Sequence, residues 1–439
     1  MEEARTKIKI NEYETERRVV IIGGGFAGVR AALDLLRSKN NFKVILLDKN
    51  GFHSFHPDYY EVATAALEER EKPSITQFYS VRSTVAIPFK NIFKGYKNIQ
   101  VLNDEALNLN PKRQFVETAR KKQIFYDWLI VSAGSETNYF NIPRLKELSF
   151  ELKSVNDALN IRNAIDELFE REGKKKKINI IIGGGGFTGC ELAGELANYL
   201  KNLVKIHKRP GKNHSIKIVE ASPAILGGAS KWAQKKAKNR LLKIGVDILT
   251  DRPIGKISQN EIFFKAGGGD APEKSKLELL NYDILIWTAG VKANKFSTIF
   301  DKNILAEKQC LKINKFLQIP LFKNIFAAGD IAFYFDPAKN NPLPMTAQTA
   351  ISQGSYAAYA INREINKKKL KPYKPKQSRF IIPLGGKYAL ADFGFIKFSG
   401  FFAWILKHLV ALLYFLSILP FFSALTLWLR GLKIHIKND

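Results

Sequence analysis

The sequence predicts an α/β fold of two doubly wound domains, followed by an apolar, helical carboxyl-terminal region. Three observations predict it. Two glycine-rich turns each follow an apolar strand and open a helix, and the second copies the pattern of the first. Three later strands end in small residues, the usual finish of a strand at the ligand-binding edge of a parallel sheet. After residue 400 the chain becomes apolar and almost free of charge. A length of 439 residues has room for two or three domains.

The first turn begins with Arg18-Val19-Val20-Ile21-Ile22, which runs into Gly23-Gly24-Gly25-Phe26-Ala27-Gly28, the spacing G-x-G-x-x-G. Gly23 permits a sharp turn, Gly25 lets the backbone approach a pyrophosphate, and Gly28 allows a helix to lie close to the strand. A diphosphate then rests on the free N–H groups at the helix start. A second apolar strand, 42–47, ends in Asp48, whose carboxylate can accept the hydroxyls of an adenosine ribose.

The second copy runs from the strand 178–182 into Gly184-Gly185-Gly186-Phe187-Thr188-Gly189, then a helix containing Glu191. Its next strand, 216–219, closes with Glu220, after a basic, turn-rich insertion at 205–214. Two Rossmann-like dinucleotide-binding domains imply two dinucleotides. A negative charge at Glu220 disfavours a 2′-phosphate, so NADH is expected over NADPH. The strands that return to the sheets end in Ala133-Gly134, in Ala289-Gly290 and in Ala328-Gly329-Asp330. Small residues there leave room for a cofactor, and Asp330 can meet a ribityl hydroxyl or lie near a flavin diphosphate.

With these residues in place, the chain resembles the two-dinucleotide-binding flavoprotein reductases. Within them it is most similar to the type II (alternative, non-proton-pumping) NADH:quinone oxidoreductases. The resemblance runs from about Arg18 to Arg430 and rests on three stretches: Phe52-His53-Ser54-Phe55-His56-Pro57-Asp58-Tyr59-Tyr60, residues 186–196, and Pro344-Met345-Thr346-Ala347-Gln348-Thr349-Ala350-Ile351-Ser352-Gln353-Gly354. It implies FAD in the first domain, on Gly23, Gly25, Phe26, Ala27, Gly28, Asp48, Ala133, Gly134, Gly329, Asp330 and Ala347. It implies NADH in the second, on Gly184, Gly186, Phe187, Thr188, Gly189, Glu220, Ala289 and Gly290. Gln348, Gln353 and Lys387 would then belong to a quinone site, and Glu191 would be the catalytic carboxyl. Plainer readings stand beside these: Gln348 as an ordinary helix residue, and Glu191 as an acceptor for N–H groups in its helix's first turn. His53 and His56 read as pocket walls, and no metal site is expected.

The resemblance divides the chain into a polar extension (1–17), the first part of the FAD domain (18–155), the NADH domain (156–290), the second part of the FAD domain (291–380) and a membrane-binding region (381–439). The charge balance fits such a region. Lys and Arg number 69 against 41 Asp and Glu, a formal +28, which favours an anionic lipid surface. Nucleic acid is not expected, because no recognition module accompanies the charge. Residues 409–429 carry no charge and are long enough to span a bilayer, but Pro420 interrupts them and Arg430, Lys433 and Lys437 follow. Two helices broken near Pro420 and lying in the interface fit better, with Trp404 and Trp428 at headgroup level. The expected location is the cytoplasmic face of the cell membrane. A homodimer interface is the other use for the same apolar surface. The first residues, rich in glutamate, match neither a transit nor a signal peptide.

The expected reaction is hydride transfer from NADH to FAD, then two electrons to a membrane quinone, without proton pumping. Sulfide:quinone oxidoreductases and disulfide reductases share the fold but need a cysteine pair beside the flavin. Cys190 and Cys310 do not obviously supply one. A membrane-docked redox sensor without turnover is the reading from another class.

Overall fold

The computed structural model describes residues 17–65, 81–210, 213–265, 279–376 and 379–438. Two five-stranded parallel sheets organise them. The first has the order Ile325–Ala327, Trp128–Val131, Arg17–Ile22, Phe42–Asp48, Ile99–Asn103. The second has the order Phe150–Glu151, Ile284–Trp287, Ile178–Gly183, His214–Val219, Val246–Leu249. The central strands are runs of Val and Ile buried on both faces, as parallel strands between covering layers must be. Each unit also carries a three-stranded antiparallel sheet, 106–125 in the first and 254–281 in the second.

The two units differ in where their edge strand comes from. Phe150–Glu151 precedes the rest of the second sheet, whereas Ile325–Ala327 follows all of it and completes the first. Two crossing segments, Ser135–Thr137 and Val291–Ala293, pair as an antiparallel ribbon between the units. Helix Val155–Arg171 leads into the second unit. It starts at a capping box in which Ser154 accepts from the Asp157 N–H and Asp157 accepts from the Ser154 N–H.

The carboxyl-terminal region begins with the sheet Phe380–Pro383, Ala389–Asp392, Lys397–Gly400. Gly400, at φ +107°, turns the last strand into helix Phe401–Ile418. That helix stops where Pro420 forces Leu419 into an extended conformation (φ −125°, ψ 157°). Helix Phe421–Asn438 then folds back against it. Ala403, Trp404, His408, Ala411, Phe415 and Ile418 form one buried stripe on the first of these helices. Steps of three and four residues keep that stripe on one face. Outside that stripe Phe402 is 77% exposed and Leu413 is exposed, and at the start of the second helix Phe421 is exposed and Phe422 is 80% exposed.

Candidate active site

Both glycine turns are assembled from the same contacts. Gly23 has φ +94° and Gly184 φ +110°, a left-handed region closed to most side chains. A Cβ on Gly28 would lie 1.9 Å from the Gly23 carbonyl oxygen, and one on Gly189 2.0 Å from that of Gly184. Gly25 and Gly186 cap their helices with open space where a Cβ would stand, which leaves a bare cradle before the helix N-terminus. The acids are held alike. Asp48 accepts from the N–H groups of Gly24 (2.6 Å) and Asn50 (2.6 Å), and Glu220 from those of Gly185 (2.7 Å) and Ser222 (2.8 Å). An acceptor carboxylate for ribose hydroxyls and a bare cradle at a helix N-terminus for the diphosphate fit a dinucleotide at each turn.

The duplication reaches residues that sequence reading missed. The Ser132 hydroxyl donates to the carbonyls of Ile22 and Gly23 (2.9 and 3.0 Å), and the Thr288 hydroxyl to those of Gly183 and Gly184 (both 3.1 Å). Each lies just before its Ala-Gly pair, and Gly134 and Gly290 share a φ of +74°. A small hydroxyl residue ahead of Ala-Gly in both copies was the signal available.

Around the first turn, the strand end Ala328-Gly329-Asp330 and helix Ala347–Ile365 close in. Gln353 is buried and its Oε1 accepts from the Gly329 N–H at 2.7 Å, so its side chain ties that helix to the strand end. Gly354 packs so closely that a Cβ would lie 2.2 Å from the Ala27 carbonyl oxygen. Ala347 and Gln348 stand at the start of the same helix, Gln348 exposed. Asp330 accepts from the Ser135 hydroxyl (2.6 Å), which accepts in turn from the Lys153 ammonium (2.9 Å). Burial lowers the Lys153 pKa, against the pull of Asp330 and Glu151. Lys387 is exposed, in a loop whose Gly385 lies against the Gly194 backbone.

His53 is fully buried. Its Nδ1 lies 3.0 Å from the Gly24 carbonyl and its Nε2 2.8 Å from the Tyr414 hydroxyl. A carbonyl only accepts, so Nδ1 carries the proton and Tyr414 donates to Nε2. Burial lowers the imidazole to about 4, which keeps it neutral. His53 therefore connects the carboxyl-terminal helix to the first glycine turn.

Glu191 stands in the first turns of helix Phe187–Ile206, where the helices Tyr59–Ala63 and Phe421–Asn438 also pack. Burial raises its carboxyl to about 8; Lys407 opposes the rise, while Asp58 and Glu61 add to it. Asp58, Glu61, Lys407 and His435 form a buried ionic group that sequence reading did not find. The Lys407 ammonium lies 2.9 Å from Asp58 Oδ1, His435 Nε2 3.4 Å from Asp58 Oδ2, and His435 Nδ1 contacts Glu61 Oε1. Asn438 donates to Glu61 Oε2 at 2.8 Å.

The cysteines lie in separate places. Cys190 is buried behind the second turn and donates to the Gly185 carbonyl at 3.4 Å. Cys310 is buried beside the Asp330 carbonyl at 3.6 Å. Burial pushes both thiols up, Cys310 to about 11, so neither is a ready thiolate.

A family model described as pyridine nucleotide-disulphide oxidoreductase matches residues 17–354, from the first strand of the first sheet to the glycine that packs on Ala27. The chain belongs to this family. It is an oxidoreductase with the family's two dinucleotide sites, FAD at one and a pyridine nucleotide at the other. Among curated relatives, the type II NADH:quinone oxidoreductase Ndh of Mycobacterium tuberculosis is 27% identical over 434 residues, covering 94% of this chain and 87% of that one. The type II NADH:quinone oxidoreductase of Staphylococcus haemolyticus is 26% identical, covering 80% and 84%. In fold, the chain matches NDH2 of Plasmodium falciparum in complex with NADH at a TM-score of 0.80, with 18% identity and 95% and 98% of the two chains covered. This family member keeps its two cysteines unpaired and buried, away from each other.

Proposed function

We propose that this oxidoreductase takes a hydride from NADH and passes two electrons to a membrane quinone, working from the membrane surface. The observation that carries the reading is the pair of matched glycine turns, each with its bare cradle and its acid, Asp48 or Glu220; Glu191, whose carboxyl burial raises to about 8, stands on the helix that the second turn opens. When bound at the first turn, FAD supplies the two-electron relay between donor and acceptor. The protein's part is binding, orientation and one proton. A hydride brings two electrons and one hydrogen, but a quinol needs two hydrogens, so NADH and quinone together leave one proton to be found. A carboxyl still protonated at neutral pH can give it. Glu220 holds the second turn closed through the Gly185 N–H and keeps negative charge where a 2′-phosphate would lie, which favours NADH. Gln348 and Lys387 are the polar groups assigned to the quinone side, with Ala347 beside the flavin. Gln353, bonded to Gly329, supports the reading by fixing the helix that carries Gln348.

The apolar outer face of the two carboxyl-terminal helices supports attachment. Helix Phe401–Ile418 is, among the described residues, long and apolar enough to cross a membrane by length and composition, with mean hydropathy 1.9. Its buried stripe runs its full length, however, which suits a helix lying on the surface with one face in lipid. Replacing Phe402 and Phe422 by Asp should weaken binding to anionic vesicles by about tenfold per side chain, since each ring contributes roughly 1.5–3 kcal/mol when buried. Unchanged partitioning would remove this surface from the reading.

The deciding experiment reduces the purified protein's flavin anaerobically with NADH, then adds a short-chain quinone. Bleaching by NADH followed by quinone-dependent reoxidation is expected. The reoxidation rate should fall as pH rises through about 8, because Glu191 loses the proton it gives. Bleaching without reoxidation by any quinone would overturn the acceptor. Failure to bleach would overturn the donor and make sulfide the next one tried.

A further inference from the structure

The group around Asp58 is closed on itself. Each of its four carboxylate oxygens has its own partner: Lys407 and His435 on Asp58, His435 and Asn438 on Glu61. Two anions are thus matched by two cations, with His435 raised to about 9 by Glu61 and Asp58. The group is out of water: Asp58, Glu61 and His435 are all buried, His435 only 3% exposed. Charges placed there act on their neighbours with little screening. The Lys407 ammonium also lies over the Tyr60 ring, 5.2 Å from its centre. Glu191 is the carboxyl left over. The charged groups that act on it are Lys407 from helix Phe401–Ile418 and Asp58 and Glu61 from the loop of the first domain, with Tyr60 of that loop and Cys190 of its own helix beside it; His435 reaches it only through its contacts with Asp58 and Glu61. His408, stacked edge-on against His435 at 4.6 Å, adds no charge because burial keeps it neutral.

We infer that Asp58, Glu61, Lys407 and His435 are positioning residues for the reaction, a charge-balanced group that fixes the electrostatic potential at Glu191 and makes its proton available to the acceptor. The inference rests on the proposed role of Glu191 as proton donor. Both anions come from the first domain and both cations from the carboxyl-terminal helices, so the group is complete only when those helices are seated. Upsetting the balance must move Glu191 in opposite directions. Removing a cation leaves an excess anion and makes Glu191 hold its proton to higher pH. Removing an anion leaves an excess cation and makes it release the proton earlier.

The test uses the full-length, FAD-loaded protein in detergent, reduced with NADH and mixed rapidly with a short-chain quinone across a pH series. In Lys407→Met the midpoint of the reoxidation profile should rise by about one pH unit, and in Asp58→Asn it should fall by about one. Lys407→Arg should restore the original midpoint. A loss of packing alone could lower the rate but would not move the two midpoints apart. Midpoints that stay put, or that move the same way, overturn the inference. If Lys407→Met does not retain flavin, the near-isosteric Asp58→Asn decides alone: a downward shift supports the inference and any other result overturns it. Glu191→Gln separates the two levels. If it removes the titration while the charge variants leave the midpoint alone, the donor stands and the positioning group falls. If Glu191→Gln leaves the titration intact, the donor assignment itself is wrong.

Discussion

At both turns the third glycine presses on the first carbonyl, yet their surroundings part company beyond that point. Gly25 and Phe26 of the first turn are half-buried; Phe26 packs on His53 and Tyr414, and Ala27 lies against Gly354 of helix Ala347–Ile365. Gly186, Phe187 and Thr188 of the second stand exposed, with Phe187 edge-on to Phe380 at 5.0 Å. One backbone solution therefore serves two kinds of occupant. A covered turn slows departure and suits a cofactor that stays; an open one suits a substrate exchanged at every turnover. On the proposed assignment of flavin to the first turn and NADH to the second, enclosure rather than glycine spacing separates the roles.

The strongest way to break this comparison is the same substitution in each copy. Gly28→Val should give protein without bound flavin, read from its visible spectrum. Gly189→Val should keep flavin while NADH reduces it at least about 100-fold more slowly, a loss of roughly 2.7 kcal/mol. If both variants lose flavin, the two turns are not independent. Next in size, Glu220→Gln should narrow the preference for NADH over NADPH by about tenfold, as expected for removing roughly 1.4 kcal/mol of like-charge repulsion. Steady-state kinetics with the two nucleotides would check it.

Gln353→Leu sharpens the contrast at the covered turn. It leaves the buried Gly329 N–H without its partner, at about 1–3 kcal/mol, and the thermal release of flavin should come several degrees earlier. Electron transfer from NADH should change little. A separate test is a pH effect on the cover. His435 has a folded pKa raised to about 9, above its usual value, so its contribution is full below about 6.5 and is lost as pH rises through 9. Melting followed by tryptophan fluorescence should shift down as pH rises from about 6.5 to 9 and level off above that, and His435→Gln should flatten that dependence.

The two turns were readable in the sequence because strand, glycines, helix and acid lie close along the chain and answer to backbone sterics. Glu191 was readable as a motif residue, though not its company. Asp58 lies 349 residues from Lys407, and Glu61 lies 377 from Asn438. Nothing local marks such a pairing. Lys407 precedes an uncharged apolar segment and His435 stands between Lys433 and Lys437, both far in sequence from Asp58 and Glu61. The seating of that tail on the first domain turns them into buried partners. The same holds for Lys153, which meets Asp330 only through the Ser135 hydroxyl. The carboxyl-terminal break was legible for the opposite reason, because Pro420 acts on the residue beside it.

The late arrival of strand Ile325–Ala327 bears on how the molecule is made. The second sheet takes all its strands from residues 150–287, whereas the first must wait for residue 327. Chains emerge from the ribosome amino end first, at roughly 5–20 residues per second. The second sheet can therefore close while the first still lacks its edge strand. The carboxyl-terminal helices emerge after the strands of both sheets. A chain stopped between residues 290 and 324 would hold every strand of the second sheet beside a first sheet whose apolar strand Trp128–Val131 lacks its edge partner.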